Sequence, residues 1–148
     1  MRSFQIKINH FCYQTNEQLH RHGQSETPYC YFCTIRFENT NHFFINCPHV
    51  RPIWEYVEQI FEKMEYQCNL DDATKILGIF NKDDELTNTA NHLIIMAKYF
   101  IHLSKFRKHL PTVTLFKKMI LDTEYLERQI AQSKQKIDIH FEKWNRLI

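Results

Sequence analysis

Three thiols and one imidazole constrain this chain more than any other feature. They fall in the order Cys30-x2-Cys33-x8-His42-x4-Cys47. Zn²⁺ takes four soft or borderline ligands in a tetrahedron, and Cys3His is one of its common structural sets. Two cysteines separated by two residues can grip one ion from a tight turn. The other two ligands must return from another element, so the residues between Cys33 and His42 form a loop or small hairpin. Four protein ligands leave no open position for water, so one structural zinc is expected and a catalytic one is not. His49 is the competing imidazole, while Cys12 and Cys68 read as unligated core thiols.

The rest of the composition narrows the scaffold around that site. Gly occurs only 2 times in 148 residues, where average usage would give about 10. A chain so poor in turn residues suits helices rather than a β-rich fold. Hydrophobic residues at 43% and aromatics at 14% supply a core. The expected class is mainly α: a helical domain with a small CCHC zinc knuckle, then a long C-terminal helical hairpin. Five cysteines, an odd number, and a start Met1-Arg-Ser-Phe unlike a signal peptide argue against a disulfide framework. The chain is expected to be intracellular, nuclear or cytoplasmic, without a transmembrane segment, because Lys98 cuts the apolar run 93–97.

Along the chain, Phe4, Ile8 and Phe11 repeat at helical spacing. Thr15-Asn16 offers an N-cap for a second helix, and Gly23 a left-handed end for it. The stretch from Thr34 to Phe37 alternates and suits a short strand of a β-hairpin. Asn39-Thr40-Asn41 caps a helix carrying His42. Cys47 lies five residues on, one more than a helical turn, and Pro48 follows; Cys47 therefore belongs where that helix ends or frays. Arg51-Pro52 opens a helix with the stripe Ile53, Val57, Ile60, Phe61 and Met64, which Trp54 flanks. Asp71-Asp72 caps a short apolar segment. Residues 81–88 read as a linker between a knuckle module (1–80) and a C-terminal helical region (89–148). A helix from about Thr89 to Leu110 precedes Pro111, and from Val113 onward neither Gly nor Pro interrupts one long helix or two stacked ones.

Net charge is only +2, but it is unevenly spread. From Leu86 to Leu121 there is no acid, only Lys98, Lys105, Arg107, Lys108, Lys117 and Lys118. Lys98, His102, Lys105 and His109 share one helical face, which is expected to be exposed, basic and able to meet phosphates. Tyr29, Tyr31 and Phe32 on the metal turn are candidate base-stacking rings, since a small knuckle cannot bury all three. Tyr99, Phe100, Phe106 and Phe116 read as core. Enzyme signatures are absent: there is no Gly-rich phosphate loop and no Gly-x-Ser-x-Gly. Asp71-Asp72 and Asp83-Asp84 lack the aromatic-x that precedes a polymerase acidic pair.

A longer pattern joins these pieces. It runs through the Lys7-Ile-Asn-His10 helix, Thr15-Asn16, Cys30-Tyr-Phe-Cys33, His42-Phe-Phe-Ile-Asn-Cys47-Pro and Trp54, then Ile76-Leu77-Gly78, the stretch 97–102 and Phe141-Glu-Lys-Trp144. It resembles the zinc-binding C-terminal module of reverse transcriptases from LINE-type non-LTR retrotransposons. The resemblance implies Cys30, Cys33, His42 and Cys47 as the zinc ligands. One departure is the loop Phe37-Glu38-Asn39-Thr40-Asn41, where relatives commonly carry a Glu-Thr pair. The family's polymerase core would lie upstream, so the chain reads as a fragment, a gene model begun at an internal Met, or a captured piece. It is not expected to be an enzyme by itself. Expected partners are template RNA, single-stranded or target DNA, and the polymerase core of a parent polyprotein. The alternatives are a protein-interaction module docking on that core or a host partner, and an inert retroelement remnant.

Overall fold

Helix starts in this chain are set by short polar side chains. Thr15 caps α2 (Asn16–Arg21) in a capping box with Gln18. Asp71 caps α4 (Asp72–Leu77), Asp84 caps α5 (Glu85–Phe106) and Thr112 caps α6 (Val113–Ser133). Pro52 stands in the first turn of α3 (Arg51–Lys63). With α1 (Arg2–Asn9) and α7 (Ile137–Trp144), these make seven α-helices and no strand among the described residues. These come from a computed structural model that describes residues 2–10, 12–80 and 84–148. Phe11, expected on the apolar face of α1, lies outside them, as do positions 81–83 of the expected linker. The fold is mainly helical, as the composition implies. The short β-hairpin reduces to a single antiparallel bridge between Tyr29 and Phe37. Among the described residues no helix is long and apolar enough to cross a membrane.

Helix ends are made without glycine more often than with it. Gly23 closes α2 at φ +68°. Glu65, Lys108 and Gln135 adopt the same left-handed conformation after α3, α5 and α6, at φ +53°, +58° and +55°. The N–H of His109 reaches the carbonyl of Ser104, and that of Lys136 the carbonyl of Ala131, so orphan carbonyls are satisfied as in a glycine-capped helix. Each such residue costs on the order of 1 kcal/mol of Cβ strain. α5 therefore stops at Phe106, short of Leu110, and Pro111 lies in a connection it does not create. The stretch after Val113 breaks at Gln135 into two helices, which pack on each other.

α3 packs on α5 and α6, and the buried residues form one cluster. It runs from Phe4 and Ile8 through Val57 and Ile60, Leu93 and Ile101, to Phe116, Trp144 and Leu147. The parts on either side of residues 81–88 thus share a core. Trp54 is buried within the α3 stripe rather than beside it. Gly78, at φ +93°, sits where a Cβ would meet the Asn91 side-chain oxygen at 2.9 Å. That amide both accepts from the Ile79 N–H (2.7 Å) and donates to the Ile79 carbonyl (2.9 Å), fastening the chain after α4 to α5.

Candidate metal centre

The Cys30–Cys33 turn is held by backbone bonds before any metal is considered. Thr34 N–H donates to the Cys30 carbonyl (2.8 Å), and Cys30 N–H donates to the Arg36 carbonyl (2.8 Å). Thr34 itself takes φ +57°, which folds the chain back toward the turn. Backbone N–H groups of Phe32 and Cys33 donate to the Cys30 sulfur, and the N–H of His49 donates to that of Cys47; both arrangements favour thiolates.

The second ligand pair comes from a π-helical turn, His42–Asn46. Cys47 N–H donates to the His42 carbonyl at 2.8 Å. An i→i+5 bond brings residues five apart to one side, which solves the spacing that an α-helix could not. The wider turn displaces carbonyls from the helical ladder, and one, that of Phe44, accepts from the indole N–H of the buried Trp54 at 2.6 Å. Phe43, inside the same turn, stacks against Phe32 of the metal turn at 5.3 Å and 11°. The two ligand pairs are thus joined by a ring stack as well as by their ligand atoms.

The four ligand atoms of Cys30, Cys33, His42 and Cys47 lie within 4.8 Å of one another. Cys30 Sγ is 3.9 Å from Cys47 Sγ, and Cys33 Sγ is 3.3 Å from His42 Nε2. Zn–S bonds of ~2.3 Å and Zn–N bonds of ~2.0 Å in a tetrahedron demand edges of roughly 3.5–3.8 Å. The donors therefore fit a zinc ion with little adjustment. Burial, then the Arg36 guanidinium, hold the His42 imidazole below its ordinary range, so it is neutral and free to ligate. The Cys30 thiol is held high by the bond it donates to Cys47 and by burial, and Cys47 is held low by accepting it. A bound dication takes the place of that shared proton. His49 is exposed and stands outside the ligand cluster. Cys12 is exposed rather than in the core, and Cys68 is half-buried against it.

Glu38 is the residue that sequence reasoning missed. It is 0% exposed. One carboxylate oxygen accepts from the Tyr31 N–H of the metal turn (2.9 Å). The other accepts from the Asn16 N–H at the start of α2 (2.9 Å) and from the Lys105 ammonium of α5. Lys105 also donates to the Asn16 side chain at 2.8 Å. The signal was present in the sequence: a lone Glu four residues before His42, in the loop between the two ligand pairs.

The same contacts overturn the expected basic face. Lys98 is 0% exposed, and its ammonium donates to the Ile76 carbonyl at the end of α4 (2.5 Å). That carbonyl also accepts from the Gln5 side chain (3.0 Å). Lys105 is spent on Glu38, and the half-buried His102 pairs through Nδ1 with the Tyr13 hydroxyl (3.0 Å). α5 is packed on several sides, so its polar stripe faces α1, α4 and the metal turn rather than water. Arg107, Lys108, Lys117 and Lys118 are exposed. Of the turn aromatics, Tyr29 and Tyr31 are exposed at 43% and 39%, but Phe32 is buried in the Phe43 stack. Phe106, expected in the core, is 78% exposed, while Phe100 and Phe116 are buried.

Lys98 carries a measurable consequence. Burial pushes its ammonium down to about 7, from 10.5. Below pH 7 it is charged in both the folded and unfolded chains, and the cost of burying the charge is full. Between pH 7 and about 10 the unfolded chain holds the extra proton, so stability rises with pH across that window. Lys98→Met should stabilise the protein by on the order of 2–4 kcal/mol at pH 6, and the difference should shrink by pH 9. Urea unfolding of both proteins at pH 6, 7, 8 and 9 checks this; a constant difference would contradict it.

Comparison with known proteins adds the last observation. No curated protein and no solved structure matches the chain. Residues 1–54 match the family described as zinc-binding in reverse transcriptase, a span that contains all four ligands, Glu38 and Trp54. Ligand chemistry, geometry and family agree on those residues: they form a zinc-binding module of reverse-transcriptase type, built around a single structural zinc site.

Proposed function

We propose that the chain is a non-catalytic nucleic-acid-binding module of the kind carried C-terminal to the polymerase core in non-LTR reverse transcriptases, where it grips template RNA or target DNA. One observation supports this most. Four cations of the acid-free run, Arg107, Lys108, Lys117 and Lys118, are exposed and enter no internal ion pair, and they cluster in sequence around the α5–α6 connection. Lys117 lies over the Tyr56 ring at 4.7 Å, so its ammonium is steered without being neutralised. Tyr29 and Tyr31 offer ring faces on a turn that zinc makes rigid. Zinc in this reading organises the surface and does no chemistry.

Binding to a single strand should weaken with salt, with a slope of about −3 in log K against log salt if all four cations meet phosphates, at ~0.7 per contact. Fluorescence anisotropy with labelled oligo(U) and oligo(dT) between 50 and 300 mM KCl measures it. An affinity flat in salt would sink the reading.

A second reading, docking on a polymerase core or another protein, is favoured by a different surface. Leu121, Tyr125, Leu126 and Ile130 of α6 and Ile139 of α7 are each more than half exposed. Concentration-dependent self-association in sedimentation, with no nucleic-acid affinity, would favour that reading. The apolar stripe of α3 does not serve it, because Ile53, Val57, Ile60, Phe61 and Met64 are buried in the core.

A further inference from the structure

A cavity of about 690 Å³ opens where α1, the metal turn and the end of α5 meet. That is within the roughly 300–1,000 Å³ of small-ligand clefts. Its charge sets it apart. Lys7, His102, Lys105 and Lys108 line it, and no carboxylate does. A cavity at the end of α3 is lined by Glu58, Glu62 and Glu65 with no cation. Another, between α5, α6 and α7, mixes Glu85 and Glu127 with lysines. Only the first of these three could draw in a phosphate.

Two ring faces complete it. Tyr31 and Phe106 both line the cavity. Phe106 is 78% exposed at the last residue of α5, more than any other large apolar side chain among the described residues. A lone exposed Phe needs no explanation. One standing beside Tyr31 on an acid-free, lysine-lined cavity is a platform for a base. The charge is not cancelled from behind. Glu38 neutralises Lys105, but among the described residues neither Lys7 nor Lys108 forms an ion pair. Burial, then the charges of Lys105 and Lys7, hold the His102 imidazole below its ordinary range.

We propose that this cavity takes one unpaired nucleotide of a bound strand, with its base against Phe106 and Tyr31 and its phosphate between Lys7 and Lys108. The proposal rests on the nucleic-acid reading above and deepens it. It moves the specific contact from the buried Lys98 stripe to a site at the metal turn, and it adds Lys7 and Phe106.

The test uses the zinc-loaded full chain with fluorescein-labelled oligo(U) and oligo(dT) ten-mers, and with an abasic strand of the same length. Phe106→Ala should weaken binding to at least one of the base-bearing strands about 5- to 100-fold, and should leave abasic binding unchanged. Lys7→Ala with Lys108→Ala should lower the salt slope by about 1.4. All three side chains are exposed or rim-placed, so zinc content and circular dichroism should stay as in the wild type. Gln132→Ala, an exposed position on α6, is the control and should change nothing. Wild-type binding that survives Phe106→Ala and the double lysine variant undiminished would overturn the cavity while leaving the nucleic-acid reading standing. No binding by the wild type at low salt would remove both.

Discussion

Cys33→Ser should leave a chain that binds no stoichiometric zinc and has lost the packing of its N-terminal third. The substitution is nearly isosteric, and Cys33 is only half-buried, so the loss of packing at that position is small. What is lost is the metal. A structural zinc contributes on the order of 10 kcal/mol to the segment that holds it, which rivals the whole stability of a domain this size. The segment has little to fall back on: it has one β-bridge and a five-residue π-helical turn. Its collapse would release the Phe32–Phe43 stack and the Trp54–Phe44 bond, both of which reach into the shared core. Metal analysis of purified protein should give one zinc per chain for the wild type and none for the variant, with near-ultraviolet circular dichroism lost in parallel. Chelation of the wild type should produce the same spectrum, and added zinc should reverse it. Cys12→Ser, at an exposed thiol, should bind zinc as the wild type does. A Cys33→Ser protein with full zinc and a native spectrum would refute the ligand assignment.

Metal ligation was legible in the sequence because it depends on residue types at fixed spacing. The His42–Cys47 interval placed Cys47 at the end of its helix, where it stands, but not the π-helical turn that accommodates the five-residue spacing. Helix starts were legible for the same reason: Thr15 and Asp71 are caps whose chemistry is local. Helix ends were not. Glu65, Lys108 and Gln135 hold a conformation that sequence reading assigns to glycine, each followed by an N–H that bonds back to the helix end, as His109 does to Ser104. Surface and interior were confused where one helix has several neighbours. A stripe of Lys98, His102 and Lys105 at helical spacing has the pattern of a solvated face, yet α1, α4 and the metal turn cover it through bonds to Ile76, Tyr13 and Glu38. Phe32 and Phe106 exchanged roles for a related reason. The partner of Phe32 is Phe43, eleven residues on across the site, and Phe106 is the last residue of its helix.

Glu38→Ala should cost about 3–5 kcal/mol, the expected effect of removing one partner from a buried, hydrogen-bonded ion pair. The size follows from what the carboxylate leaves behind. Lys105 would lose its counter-charge with a side chain only 20% exposed. The N–H groups of Tyr31 and Asn16 would lose their acceptor in a part-buried site. Only the Asn16 side-chain oxygen would remain for Lys105. Because the Tyr31 N–H sits inside the Cys30–Cys33 turn, zinc affinity should fall as well, by the 10- to 100-fold typical when the support of a ligand is removed. Unfolding of the zinc-loaded protein measures the first effect, and competition with a fluorescent chelator measures the second. Glu38→Ala combined with Lys105→Ala should recover part of the stability, since the uncompensated ammonium is gone, but none of the zinc affinity, since the turn still lacks its acceptor. Equal recovery of both would mean that Glu38 acts on the metal only through Lys105. No loss of either in the single variant would mean that the π-turn and the backbone bonds hold the ligand set without it, and the carboxylate would then be an anchor for α5 alone.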